Sequence, residues 1–297
     1  MIDLGGVLAP VVTPFDASGE IDEGGFTANL RAHMAAGLSG VVVTGSTGEA
    51  ALLDEDERLR LVTLGRVALN HGETLIAGIG GESTRVVIAR ARAVAECGAD
   101  AVLVVAPHYY GEAATDLREH YERIADASPV PVLLYTIPKY MHFALAPSLV
   151  LELARHENIV GMKDSSGDGS LFRQYLAARS ARFRVLTGSG TLLGEALTLG
   201  ADGAILAVAL FAPGPSLDVW TAARAGDREA LDAAQARLTP LAGAIVGGMG
   251  VAGVKAALDS VGLTGGVPRS PLLPLDAMRM AQVRELLLAA EPTGTPG

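Results

Sequence analysis

The chain has 297 residues, 49% of them apolar, enough for a large core, and its formal charge of −10 at pH 7 opposes nucleic-acid binding. Cys97 is the single cysteine, which excludes an internal disulfide and any cysteine cluster for zinc. No stretch approaches 18 consecutive apolar residues, and the first six residues lack the basic start and apolar core of a secretory signal, so a cytoplasmic protein without membrane contact is expected.

Apolar, β-branched runs fall at residues 7–12, 40–44, 74–79, 101–105, 130–135, 159–163, 184–187 and 203–208. Between them lie segments of helical periodicity, for example residues 54–69, 84–96 and 115–126. Strands alternating with helices in this way imply βαβ units and a parallel sheet. A weak repeat marks the handover from helix to strand: Cys97-Gly98-Ala99-Asp100, Leu199-Gly200-Ala201-Asp202 and, earlier, Ala36-Gly37-Leu38-Ser39. Each glycine sits where a left-handed cap would stop a helix. Eight such units closing on themselves give an α/β fold, the (β/α)8 TIM barrel, over residues 1–225. The competing open doubly wound sheet would carry a Gly-rich fingerprint after its first strand, where this chain has Val12-Thr13-Pro14-Phe15. Helical stretches at 227–244, 251–261 and 276–289 make residues 226–290 an extension packed on the barrel, and the Pro- and Gly-rich end, 291–297, is expected to be disordered.

Active sites of this fold form where the strands end. Lys163, one of three lysines, closes the apolar run Asn158-Ile159-Val160-Gly161-Met162 and precedes the polar loop Asp164-Ser165-Ser166-Gly167-Asp168. Such a lysine either snorkels into the loop or is held as a neutral amine, the nucleophile that condenses with a carbonyl to a Schiff base. The second strand ends in Gly45-Ser46-Thr47-Gly48-Glu49, ahead of a helix. This turn fits a small carboxylate or phosphate, or is a capping box with Glu49 reaching back to Ser46 or Thr47. The fourth strand ends in Pro107-His108-Tyr109-Tyr110, the fifth in Tyr135-Thr136-Ile137-Pro138, the seventh in Gly188-Ser189-Gly190, and the eighth carries Ile205. A lysine able to form an iminium needs a proton shuttle, for which Tyr135 is placed, and a clamp for the remaining substrate, which Ser46 and Thr47 offer to a 2-keto acid. His108 meets either a substrate's distal group or its own loop. Lys255 is read as structural, near the barrel mouth. Asp164 and Asp168 lack the companions of a metal site, so no metal and no cofactor are expected. A metal-dependent aldolase and a barrel without activity remain as rivals.

Gly45-Ser46-Thr47-Gly48-Glu49, Pro107-His108-Tyr109-Tyr110, Tyr135-Thr136-Ile137-Pro138 and Gly161-Met162-Lys163-Asp164 resemble, in order and spacing, the dihydrodipicolinate synthase and N-acetylneuraminate lyase superfamily over nearly the whole chain. The resemblance implies a class I, metal-independent lyase with pyruvate on Lys163, Tyr135 as proton shuttle, and Ser46 and Thr47 as carboxylate clamp and relay. It implies that Ile205 offers its backbone to the pyruvyl group, and that Tyr109 reaches into a neighbouring subunit of a homotetramer built as a dimer of dimers. Dihydrodipicolinate synthases carry an arginine two residues after the proline of the tyrosine motif. Here Pro138-Lys139-Tyr140 puts a phenol there; Lys139 either partly substitutes for that arginine or, the favoured reading, is a solvated loop lysine. Gly81-Glu82-Ser83-Thr84 and the stretch around Lys163 are similar to 4-hydroxy-2-oxoglutarate aldolases. Aldol cleavage to pyruvate and an aldehyde is therefore the leading expectation, with synthase chemistry or a 2-keto-3-deoxy sugar acid as alternatives.

Overall fold

A computed structural model describes residues 2–110 and 114–290, the side chains of 114 and 115 excepted; the tail expected to be disordered lies outside these. Eight parallel strands close into one barrel in chain order: β1 Gly6–Pro10, β2 Gly40–Val43, β3 Thr74–Gly78, β4 Ala101–Val105, β5 Val132–Thr136, β6 Ile159–Asp164, β7 Arg184–Thr187 and β8 Gly203–Ile205. β8 returns to pair with β1, Leu8 opposite Ile205. Helices cover the outer face, so both faces of nearly every strand residue are buried, as continuous Val, Ile and Leu runs require.

The handover repeat has a physical role. Gly37, Gly98 and Gly200 all take positive φ (90°, 93° and 110°), ending their helices where a side chain would be strained. The aspartates that follow Gly98 and Gly200 cap the preceding strand. Asp100 accepts from Leu75 N at 2.8 Å, and Asp202 from Val185 N at 3.0 Å. Arg66 and Arg179 pair with the same two carboxylates.

Beyond β8 the chain forms a helix Pro213–Ala225, a second over Arg228–Pro240, a π-helical segment Leu241–Gly248, and a helix Met249–Ser260. Gly250 breaks the last at φ 62°, ψ −146°. The run Arg228–Ser260 is, by length and composition, apolar enough to cross a membrane, although no 18 of its residues are consecutively apolar; half of its apolar window is buried inside the fold. The final helix Ala277–Ala290 packs against the Met249–Ser260 helix and the π-helical segment. This layer lies over the end of the barrel where the strands finish, and it brings Gly243, Val246, Gly247 and Val251 to that mouth.

Candidate active site

Tyr135 and Lys163 are register partners on β5 and β6, so strand alternation sends both side chains to the same face. They are 4% and 6% exposed, and Lys163 Nζ lies 4.5 Å from the centroid of the Tyr135 ring. That distance is a cation–π contact, and the same ring face can meet an iminium. Six of the seven residues singled out in the sequence, Lys163, Tyr135, Ser46, Thr47, Gly188 and Ile205, line one cavity of about 220 Å³ at the barrel mouth. The seventh, Tyr109, does not. It stands 78% exposed on the loop after β4, edge-on to Tyr110.

Gly188 contributes by what it lacks. A Cβ there would meet Ser165 Oγ at 1.9 Å and Lys163 Cε at 2.7 Å, so only glycine leaves the lysine its present path.

The Gly45–Glu49 turn opens no long helix and forms no capping box, contrary to expectation. It opens only a single 3-10 turn, Ala50–Leu52; the following helix starts at Glu55, with Asp54 and Glu57 forming the capping box. A long helix dipole is therefore not aimed at the turn, and an anion there would be met by hydroxyls and amides alone. Glu49 does not reach back as a cap. It takes a left-handed conformation (φ 57°), as does the β-branched Thr44 (φ 51°), and such backbones persist only when the surroundings impose them. Lys255 Nζ and the backbone N–H of Arg269 (2.8 Å) hold the Glu49 carboxylate. Thr44 donates to Gly78 O at 2.9 Å, and Thr13 donates to Gly48 O at 2.8 Å. Burial pushes the Lys255 ammonium below its ordinary pKa while Glu49 opposes that shift.

Asp164 follows Lys163 on β6 and therefore points to the opposite face, toward the helix layer. Burial raises it to about 6, against the hydrogen bonds from Ser166 N and Oγ, both at 2.9 Å. These bonds set the Ser165–Ser166 loop on the cavity wall. Asp168 caps the helix Gly169–Tyr175. His108 lies at the loop, its Nδ1 3.3 Å from Glu82 Oε1, and does not line the cavity.

Two features were missed in the sequence. Lys139 is solvent-exposed as expected, but its Nζ also donates to Gly247 O at 2.9 Å, and both residues line the cavity. Ser165, Ser166, Ser189 and Thr191 also line the cavity, with Ser166 Oγ donating to Asp164 and Ser189 Oγ bonded to Thr191 Oγ1. The cluster Gly243, Gly247, Gly248 and Gly250 inside an apolar helical stretch was the available sign of a close approach.

Comparison with known proteins agrees with this geometry. The sequence model of the Dihydrodipicolinate synthetase family matches residues 3–290. A 4-hydroxy-tetrahydrodipicolinate synthase of an Exiguobacterium species is 33% identical over 278 residues, 94% of this chain and 95% of that protein. The dihydrodipicolinate synthase DapA-2 of Bacillus anthracis superposes with a TM-score of 0.94 at 29% identity, covering 97% of this chain and 99% of the other. YagE, a prophage protein of the dihydrodipicolinic acid synthase family from E. coli K12, solved in complex with pyruvate, gives 0.92 at 30% identity over 97% and 99%. With a family match across almost all its length and the barrel of its relatives, the chain belongs to the dihydrodipicolinate synthetase family of class I, metal-independent lyases.

Proposed function

We propose that this protein carries pyruvate as a Schiff base on Lys163 and joins its C3 to an aldehyde, or runs that step in reverse. The observation that carries the reading is the pairing of Lys163 with Tyr135 inside the cavity that also holds Ser46 and Thr47. In its amine form Lys163 attacks C2 of pyruvate and a water leaves, giving the iminium. Loss of a C3 proton gives the enamine, whose C3 forms a bond to the aldehyde carbon. The new alkoxide takes a proton from the Tyr135 hydroxyl, and water hydrolyses the iminium to free Lys163. Ser46 and Thr47 hold the pyruvate carboxylate, Ile205 offers its backbone beside the pyruvyl group, and Gly188 keeps the lysine's path open. Tyr109 of a neighbouring copy completes the site in a homo-oligomer, a dimer of dimers, in the cytoplasm.

For the aldehyde, the relatives' names favour synthase chemistry over cleavage of 4-hydroxy-2-oxoglutarate. The Exiguobacterium relative is named 4-hydroxy-tetrahydrodipicolinate synthase, which supports aspartate semialdehyde as the acceptor. The serine and threonine residues lining the cavity favour a second reading, a hydroxylated acceptor giving a 2-keto-3-deoxy sugar acid. Pyruvate consumption measured with aspartate semialdehyde, glyoxylate and glyceraldehyde in parallel separates these. Synthase chemistry predicts the highest kcat/KM with aspartate semialdehyde; turnover with glyceraldehyde alone selects the sugar-acid reading, and with glyoxylate alone the aldol cleavage.

A further inference from the structure

Asp164 is 2% exposed, and among the described residues no cation pairs with it. A carboxylate buried in this way is costly to keep ionised, and the mechanism above leaves it unused. It does not line the cavity. What it holds is the first turn after β6. Its Oδ1 accepts from Ser166 N and its Oδ2 from Ser166 Oγ, both at 2.9 Å. Ser166 Oγ in turn accepts from Asp168 N at 3.2 Å, and Asp168 caps the helix Gly169–Tyr175. The backbone here is pinned to the strands on either side: Gly188 N donates to Asp164 O at 2.6 Å, and Ser165 N to Thr136 O at 2.9 Å. Ser165 stands between these anchors. A Cβ built on Gly188 would lie 1.9 Å from Ser165 Oγ and 2.7 Å from Lys163 Cε, so that hydroxyl and the nucleophile's side chain are neighbours. The Tyr135 ring, 4.5 Å from Nζ, is the lysine's other neighbour.

We infer that Asp164 is a positioning residue for Schiff-base formation: by gripping Ser166 behind the strand it fixes Ser165 beside Lys163 and keeps Nζ at the Tyr135 ring. This rests on the Schiff-base reading above and adds to it a group that never meets the substrate. Ser165 and Ser166 are only half-buried, so without the grip their turn is free to shift at the cavity wall. A nucleophile misplaced by about 1 Å loses rate on the order of 10²-fold. The grip needs hydrogen bonds and not charge. An amide in place of the carboxylate accepts from Ser166 N with its oxygen and donates to Ser166 Oγ with its nitrogen, and a hydroxyl has two lone pairs to receive both that donor and Asp168 N.

The test uses the full chain, mixed with pyruvate for set times and quenched with borohydride, with the reduced adduct on Lys163 read by mass. The rate of adduct formation at saturating pyruvate and the half-saturating pyruvate concentration are measured in the wild type, Asp164→Ala and Asp164→Asn, with folding checked by circular dichroism. The expected result is a saturated rate about tenfold or more lower in Asp164→Ala, with half-saturation within about twofold of wild type because Ser46 and Thr47 are untouched, and a rate restored to within about twofold by Asp164→Asn. A wild-type rate in Asp164→Ala overturns the inference. So does a folded Asp164→Asn as slow as the alanine variant, or a loss confined to half-saturation. Should Asp164→Ala not fold, Ser166→Ala removes one of the two bonds and must show the same slowing in smaller measure; a wild-type rate there overturns the inference as well. Failure of pyruvate to form any adduct in the wild type would instead remove the Schiff-base reading on which it rests.

Discussion

Lys255 Nζ lies 2.5 Å from Glu49 Oε1, and neither side chain meets solvent (1% and 0% exposed). The lysine also donates to Val267 O at 2.9 Å and faces the Phe15 ring at 4.7 Å. The pair ties the turn bearing Ser46 and Thr47 to the C-terminal layer. Removing one partner strands a charge, so Lys255→Met should cost about 3–5 kcal/mol in urea unfolding. The double change Glu49→Leu with Lys255→Met should recover much of that stability. It should still show a raised KM for pyruvate, because the left-handed Glu49 is no longer held. Full recovery of KM in the double variant would show that the pair does not position the turn.

Tyr135→Phe keeps the ring over Lys163 and deletes the hydroxyl alone. A proton shuttle predicts kcat lower by about 10²–10⁴-fold, with an adduct still trapped on Lys163. Steady-state rates and the mass of the trapped peptide check both halves; an unchanged kcat would give the proton transfer to another group.

Gly188→Ala places a methyl on the present position of Ser165 Oγ and against Lys163 Cε. Displacing the nucleophile should lower kcat at least about 10²-fold, while stability falls by about 1–3 kcal/mol, as for overpacking elsewhere. Wild-type kcat in this variant would show that the lysine path is not constrained there.

Acid should destabilise the fold. Burial holds His33 and His120 down to about 4, although Glu82 pulls His120 the other way. The unfolded chain takes up those protons first, so this stability is complete above pH 6.5 and is lost as pH falls toward 4. Asp164, raised to about 6, has the opposite sign: the folded state binds its proton first, and stability is gained as pH falls from 6 toward 3.8. Each contribution is roughly 3 kcal/mol at its limit, so the two histidines outweigh the aspartate. Urea unfolding at pH 7 and pH 4.5 should show a net loss at the lower pH. Asp164→Asn keeps both partners at Ser166, and should raise stability at pH 7 by about 1–2 kcal/mol and steepen the loss in acid. Lower stability of that variant at pH 7 would contradict the assigned direction.

The barrel was legible because each unit carries an apolar, β-branched run, and some add a glycine ending the helix or, at Asp100 and Asp202, an aspartate that caps the preceding strand. Lys163, Tyr135, Ser46, Thr47, Gly188 and Ile205 were legible because the fold sends the ends of all its strands to one mouth. What stayed hidden depends on contacts between distant segments. Nothing near Glu49 tells that Lys255 neutralises it, so its side chain reads equally well as a helix cap. Lys139 reads as a loop lysine until the π-helical segment brings Gly247 O to it. Tyr109, expected at the site, stands exposed and off the cavity in the single chain.

Incubation with pyruvate and borohydride, followed by peptide mass spectrometry, reads out whether Lys163 forms the Schiff base. A reduced pyruvyl adduct on the peptide containing Lys163, absent in Lys163→Arg, is the predicted result. A folded protein saturated with pyruvate that gives no adduct, or an adduct on Lys139 or Lys255 instead, would contradict it.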